Sequence, residues 1–200
     1  MDEIDFGSLL GARLCHDLIS PVSAARNGIA MARDETDPEM RKDAMALTED
    51  GLADAVAKLK VYRIAYGAAG PGTTLAEARA GALGLFARGR VSVDWPEGGA
   101  DPGPAAVRLL LNLVLLGADA VARGGTVRVV SPGPAPSVEA TGGRAGFAAD
   151  VLSVLDGETP PEELTPRQIQ AALTVRLAAR ENMPIAHTAT DGAVSLVASA

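Results

Sequence analysis

Two hundred residues are enough for one sizeable domain or two small ones with a real core. Apolar residues make up 48% of the chain but aromatics only 3%, so Ala, Leu and Val must build that core. A formal net charge of −7 repels phosphate backbones and argues against a nucleic-acid partner.

The opening Met1-Asp2-Glu3-Ile4-Asp5-Phe6-Gly7 lacks the basic and apolar regions of a signal peptide. A first helix is predicted from Ile4 to about Arg33. A polar turn follows, in which Asp37 is a good N-cap and Pro38 and Glu39 suit the first helical turn. A second helix then runs from Pro38 to Tyr66 and stops at Gly67 and the Gly70-Pro71-Gly72 breaker. Two such helices form an antiparallel hairpin on the order of 40 Å long. A lone hairpin leaves one apolar face uncovered, and pairing with a second copy into a four-helix bundle is the expected remedy. Residues 1–69 are therefore read as one unit and 70–200 as another.

In the second unit a helix is predicted over Leu75 to Ala87 and a strand over Arg90 to Trp95. A strongly apolar helix follows over Pro104 to Ala122, then a strand over Thr126 to Ser131. Pro132 to Gly143 is turn-rich with one strand. Ala145 to Leu155 reads as helix, and Thr165-Pro166 opens another that reaches Glu181. Pro184 to Ala189 and Ala193 to Ala198 form a hairpin around Asp191-Gly192. This is an α+β chain: a helical hairpin followed by a small α/β sandwich with mostly antiparallel strands. The longest apolar run, Val107 to Val121, contains Arg108, Asn112 and Asp119 and is too short to span a bilayer. With a single cysteine, Cys15, no internal disulfide is possible, so a cytoplasmic, membrane-free protein is expected.

The segment that carries chemistry is Leu14-Cys15-His16-Asp17-Leu18-Ile19-Ser20-Pro21. At roughly 100° per residue, Leu10, Leu14, Leu18, Val22, Ala25 and Ile29 form a stripe expected to face the core. His16, Ser20, Ser23 and Asn27 fall on the opposite, solvated side. An imidazole there can be reached in line by a bulky phosphoryl donor, and Ser20, Ser23 and Ala24 leave room for it. A side chain of ordinary pKa near 6.5 is largely neutral and nucleophilic in the cytosol, and its phosphoramidate passes phosphate on readily. Asp17 can orient the ring and hold the proton on the non-attacking nitrogen. Ser20 can contact phosphoryl oxygens or a hydrolytic water. Pro21 lacks an N–H, which frees the Asp17 carbonyl and predicts a kink.

His16-Asp17-Leu18-x-x-Pro21 resembles the H-box of sensor histidine kinases. The longer stretch Arg13 to Val22, with Asn27-Gly28 and with Tyr62-Arg63-Ile64-Ala65-Tyr66-Gly67, resembles alphaproteobacterial histidine phosphotransferases of the ChpT type. Leu164-Thr165-Pro166-Arg167-x-Ile169-Gln170 and the terminal hairpin extend that likeness more weakly. The resemblance implies a dimeric hairpin bundle followed by a degenerate copy of the kinase ATPase domain. It also implies that His16 accepts phosphate from the receiver domain of a hybrid histidine kinase and passes it to response regulators. Ile19, Ser23, Ala24, Asn27 and Lys58 are the expected partner contacts, and the receiver supplies the Mg²⁺.

The chain is expected to bind no cofactor or metal of its own. Arg108 to Asp119 looks like the asparagine-box helix of a kinase, but Leu116 replaces the metal-binding asparagine four residues after Asn112. Asp156-Gly157-Glu158 lacks the second glycine of a nucleotide loop, and no Gly-rich loop precedes Thr165. Two other functions are kept open, a non-catalytic dimeric adaptor for receiver domains and a diverged ATP-dependent kinase. The alternative for Lys58 is an ordinary solvated lysine; Asn112 is read as a satisfied buried amide, Cys15 as a small packing residue, His187 as structural and Arg63 as a brace at the junction.

Overall fold

The computed structural model describes residues 2–68, 70, 73–133 and 135–199. Pro71 and Gly72 of the expected breaker, and Pro134 of the turn-rich stretch, lie outside them. Helix α1 (Glu3–Asp34) starts where the Asp2 side chain accepts from the Asp5 N–H. It runs through Pro21 without interruption. Helix α2 (Pro38–Tyr66) begins as the sequence predicts: Asp37 Oδ1 accepts from the Glu39 and Met40 N–H groups at 2.8 and 3.2 Å.

The two helices meet along small side chains. Pro21, Ala25, Gly28 and Ala32 are buried on α1, and Ala44, Thr48, Gly51 and Ala55 on α2. A Cβ on Gly51 would stand 2.7 Å from the Pro21 carbonyl oxygen and 2.8 Å from the Ala25 nitrogen, so the backbones approach as closely as glycine allows. The predicted core stripe is therefore corrected by a rotation. Val22 and Ile29 are 52% and 55% exposed, while Leu10, Leu14 and Leu18 are half-buried. Apolar periodicity locates bulk, whereas a close helix seam selects small residues. Cys15 is likewise exposed and not a packing residue, because its position on the helix points it away from that seam.

Beyond the hairpin come α3 (Leu75–Phe86), β1 (Val91–Asp94), α4 (Pro104–Ala120), β2 (Gly125–Ser131), β3 (Ser137–Thr141), α5 (Ala149–Leu155), α6 (Ile169–Arg180), β4 (Ile185–Thr190) and β5 (Ala193–Ala198). The sheet order is β1-β2-β3-β5-β4. Only β1 and β2 pair in parallel, joined through α4; the remaining pairs are antiparallel. Along β2 the side chains alternate, with Val127 and Val129 buried and Arg128 and Val130 exposed. Helices α4 and α6 pack on each other, with α4 lying against β2, β3 and β5. Two helices begin later than expected. Gln168 Oε1 accepts from the Thr165 N–H and hydroxyl at 3.0 and 2.8 Å, which holds a turn ahead of α6. Before α5, the Ala145 N–H bonds the Gly142 carbonyl in a second turn.

One core runs through both units. Leu109, Leu110, Leu113 and Leu116 of α4 are buried in the same cluster as Phe6, Val61, Ile64 and Ala65 of the hairpin. The end of α2 is tied down by α4: Arg108 Nε donates to the Ala65 carbonyl at 3.1 Å and its Nη2 to the Tyr66 carbonyl at 3.2 Å. Carbonyls that any helix leaves unpaired at its C-terminus are thereby satisfied. The Arg176 guanidinium lies 3.9 Å over the Phe6 ring, joining α6 to the start of α1. Arg63 reaches Glu77 of α3 at 4.0 Å, a loose surface brace at the same junction. Among the described residues no helix is long and apolar enough to cross a membrane.

Gly51→Val is expected to lower stability by about 1–3 kcal/mol through overpacking of the seam, read as a lower urea midpoint at unchanged slope. Gly84→Val, where a new side chain meets open space, is the control. Equal midpoints for the two variants would mean that the helices do not approach at Gly51.

Candidate functional site

His16 stands on the outer surface of α1 with its side chain 88% exposed. Ser20 and Asn27 are exposed on the same face, Ser23 and Ala24 are half-buried, and Ile19 is 64% exposed. The sequence-predicted polar face is thus a real surface around the imidazole. Asp17 is one residue further and about 100° round the helix, which turns it toward α2.

The Asp17 carboxylate has divided contacts. Its Oδ1 lies 3.2 Å from His16 Nδ1. An ionised carboxylate only accepts, so this contact favours the tautomer with the proton on Nδ1 and the free lone pair on Nε2. Its Oδ2 accepts a 2.7 Å bond from the Tyr62 hydroxyl. Burial pushes the Tyr62 phenol well above its ordinary range, so it remains a neutral donor. The Asp17 carbonyl, deprived of a helical partner by Pro21, accepts instead from Lys58 Nζ at 3.1 Å. Lys58 also pairs with Asp54 at 3.1 Å. Its ammonium is therefore engaged inside the hairpin rather than simply solvated.

Support also comes from the second unit. The Tyr62 and Tyr66 rings stack with centroids 4.8 Å apart and planes 11° from parallel. The Tyr66 hydroxyl donates to Gln170 Oε1 at 2.8 Å. Gln170 Nε2 donates to Asn112 Oδ1 at 2.9 Å, and Asn112 Nδ2 donates to the Ala65 and Arg108 carbonyls at 2.9 and 2.8 Å. Asn112 is fully buried, as is Gln170 to within 1%, so the amide is satisfied by protein groups as expected. Arg13 bridges the units: Nη2 is 3.2 Å from Asp119 Oδ2, and Nε lies 3.6 Å from Asp17 Oδ2. That Nε is buried without a hydrogen-bond partner. Desolvation works against the Arg13 charge, but Asp119 and Asp17 outweigh it and its pKa is raised.

A cavity of about 310 Å³ lies behind this arrangement, lined by Arg13, Asp17, Lys58, Tyr62, Tyr66, Asp119 and Gln170 among others. Ser20, Pro21 and Ala24 also line a larger groove of about 570 Å³, together with Leu47, Asp54, Leu85 and Arg88. His187 pairs with Asp156, its Nε2 2.9 Å from Oδ1, far from His16 in the sequence and on β4. Among the described residues there is no group of three or more His, Cys, Asp or Glu side chains placed to hold a metal ion.

Sequence reasoning missed Tyr62, Tyr66, Arg13, Asp119 and Gln170 as members of the site. Lys58, Tyr62 and Tyr66 recur at four-residue spacing on one face of α2, a signal legible once Lys58 is set level with Asp17. Gln170 and Asp119 carry no such local signal.

The family model described as histidine phosphotransferase C-terminal domain matches residues 75–193. Protein phosphotransferase ChpT of Brucella abortus (strain 2308) is 32% identical over 197 residues, covering 95% of this chain and 93% of that relative. A bacterial phosphotransferase solved at 1.7 Å aligns with a TM-score of 0.86 and 30% identity, covering 100% of this chain and 98% of that one. With a family model across more than half its length and likeness along nearly all of it, this chain belongs to the ChpT-type histidine phosphotransferases.

Proposed function

We propose that His16 is the phosphoacceptor of a two-component phosphorelay, loaded by a receiver aspartate of a hybrid histidine kinase and discharged to response-regulator aspartates. The observation that carries this reading is the pairing of an 88% exposed imidazole with a carboxylate held 3.2 Å from its Nδ1. Nε2 then faces water as the nucleophile. Its lone pair attacks the aspartyl phosphorus in line; the N–P bond forms as the P–O bond breaks, and that electron pair leaves with the receiver carboxylate. Asp17 stabilises the positive charge that develops on the ring. The Mg²⁺ that neutralises the phosphoryl oxygens belongs to the receiver. Ser20 stands one turn away, and Ile19, Ser23, Ala24 and Asn27 supply the surrounding contact surface. Such a relay places the reaction in the cytoplasm.

Loading from ATP by this chain is not part of the reading. Leu116 is buried to 1% where a second metal-binding amide would be needed, and Asn112 is fully occupied by Ala65, Arg108 and Gln170. The chain also acts as a homodimer in this reading. Val22 and Ile29 on α1 and Leu52, Val56 and Leu59 on α2 are each about half exposed or more. Covering them with a second hairpin completes a four-helix bundle.

Two measurements test these readings. Mixed with a receiver domain radiolabelled on its aspartate, the chain is expected to take up label, His16→Ala none, and neither any from Mg-ATP. Label on His16→Ala, or loading from ATP alone, contradicts the proposal; receiver binding without uptake favours the adaptor role. Equilibrium sedimentation is expected to give twice the 20.3 kDa chain mass, and Leu52→Glu with Val56→Glu to give the single-chain mass. A single-chain mass for the unaltered protein at micromolar concentration rules out the dimer.

A further inference from the structure

The Asp17 carboxylate has a choice of partners. On one side is the exposed His16 ring. On the other is Arg13, whose buried Nε has no hydrogen-bond partner and lies only 3.6 Å from Asp17 Oδ2. A cation with an open donor is a stronger attraction for an anion than a neutral imidazole. Without a further hold, the carboxylate is free to turn both oxygens toward Arg13 and release the histidine. The Tyr62 hydroxyl supplies that hold: it donates at 2.7 Å to Oδ2, the oxygen that also faces Arg13, and leaves Oδ1 turned toward His16 Nδ1.

Resting on the phosphotransfer reading above, we propose that Tyr62 is a positioning residue for that reaction. Its hydroxyl fixes the carboxylate that fixes the histidine tautomer, without touching the phosphoryl group. The tyrosine is suited to this because it has little freedom of its own. Its ring is 8% exposed and stacked on Tyr66, and Tyr66 is held through Gln170 to Asn112 of the second unit. Those two amides, sitting where the resemblance to kinases would place a nucleotide site, here support the geometry of the phosphoacceptor. A free imidazole prefers its proton on Nε2, which would block the outward nucleophile; the chain Tyr62–Asp17–His16 holds the opposite tautomer.

The test is Tyr62→Phe, which keeps the ring and its stacking and removes only the hydroxyl. Two readouts are taken. Phosphoryl uptake from the radiolabelled receiver is expected to slow on the order of tenfold, as for the loss of other outer partners of a functional histidine. The ¹⁵N shifts of the His16 ring are expected to move from the Nδ1–H toward the Nε2–H tautomer. The chain has only two histidines, and His187, paired with Asp156, is the internal control whose signals stay in place. Both readouts must move: an uptake rate within twofold of the parent, or an unmoved His16 tautomer, overturns the assignment and leaves Tyr62 a core side chain. Failure of the unaltered chain to take label would instead strike the phosphotransfer reading, so the two failures are told apart.

Discussion

A helix turns by about 100° from one residue to the next, so neighbouring side chains cannot share an environment. At His16 and Asp17 this limitation becomes the design of the site. The imidazole is in water while the carboxylate beside it points into a seam between two helices. The seam is narrow because Gly51 allows α2 to approach the Pro21–Ala25 backbone of α1. At that separation the side chains two and three turns further along α2, Lys58 and Tyr62, reach Asp17. Bulk at the seam would part the helices and leave the carboxylate without its second partner.

Pro21 contributes in the same place. By removing one N–H it leaves the Asp17 carbonyl open, and Lys58 fills the gap. Asp17 is consequently held through its main chain and both carboxylate oxygens. Pro21, inside a continuous helix, thereby serves as a docking point between the two helices.

The second unit shares a core with the hairpin and cannot reorient without breaking polar contacts as well as apolar ones. Asn112, Gln170 and Tyr66 form a buried network in which every side-chain amide is paired, and leaving one such group unsatisfied costs about 1–3 kcal/mol. A kinase domain that must carry nucleotide to its histidine needs freedom at this junction. Here the junction is braced by Arg108, Asn112, Gln170 and the Arg176–Phe6 contact, which suits the proposed loading of His16 by visiting receivers.

Much of this was legible in the residues. The two long helices, their Asp37-Pro38 turn and most strands of the second unit follow from capping, breaker and alternation signals that act within a few positions. His16 and its polar face were legible because exposure on a helix depends only on local periodicity. The seam was not, since large apolar side chains such as Val22 and Ile29 dominate the pattern although Ala25 and Gly28 make the contact. Asp119 and Gln170 were beyond reach because their role depends on contacts across 104 to 106 positions of chain. The role of Lys58 was half visible: its height on the hairpin was right, but its partner is the carbonyl that Pro21 exposes.

Which ring nitrogen of His16 bears phosphorus is the most direct measure of whether Asp17 governs the site. After loading from a phospho-receiver, ³¹P–¹⁵N correlation on the histidine-labelled protein is expected to show phosphorus on Nε2 of His16, with Nδ1 still protonated. Phosphorus on Nδ1, where the Asp17 carboxylate lies 3.2 Å away, or on any other residue, would contradict it.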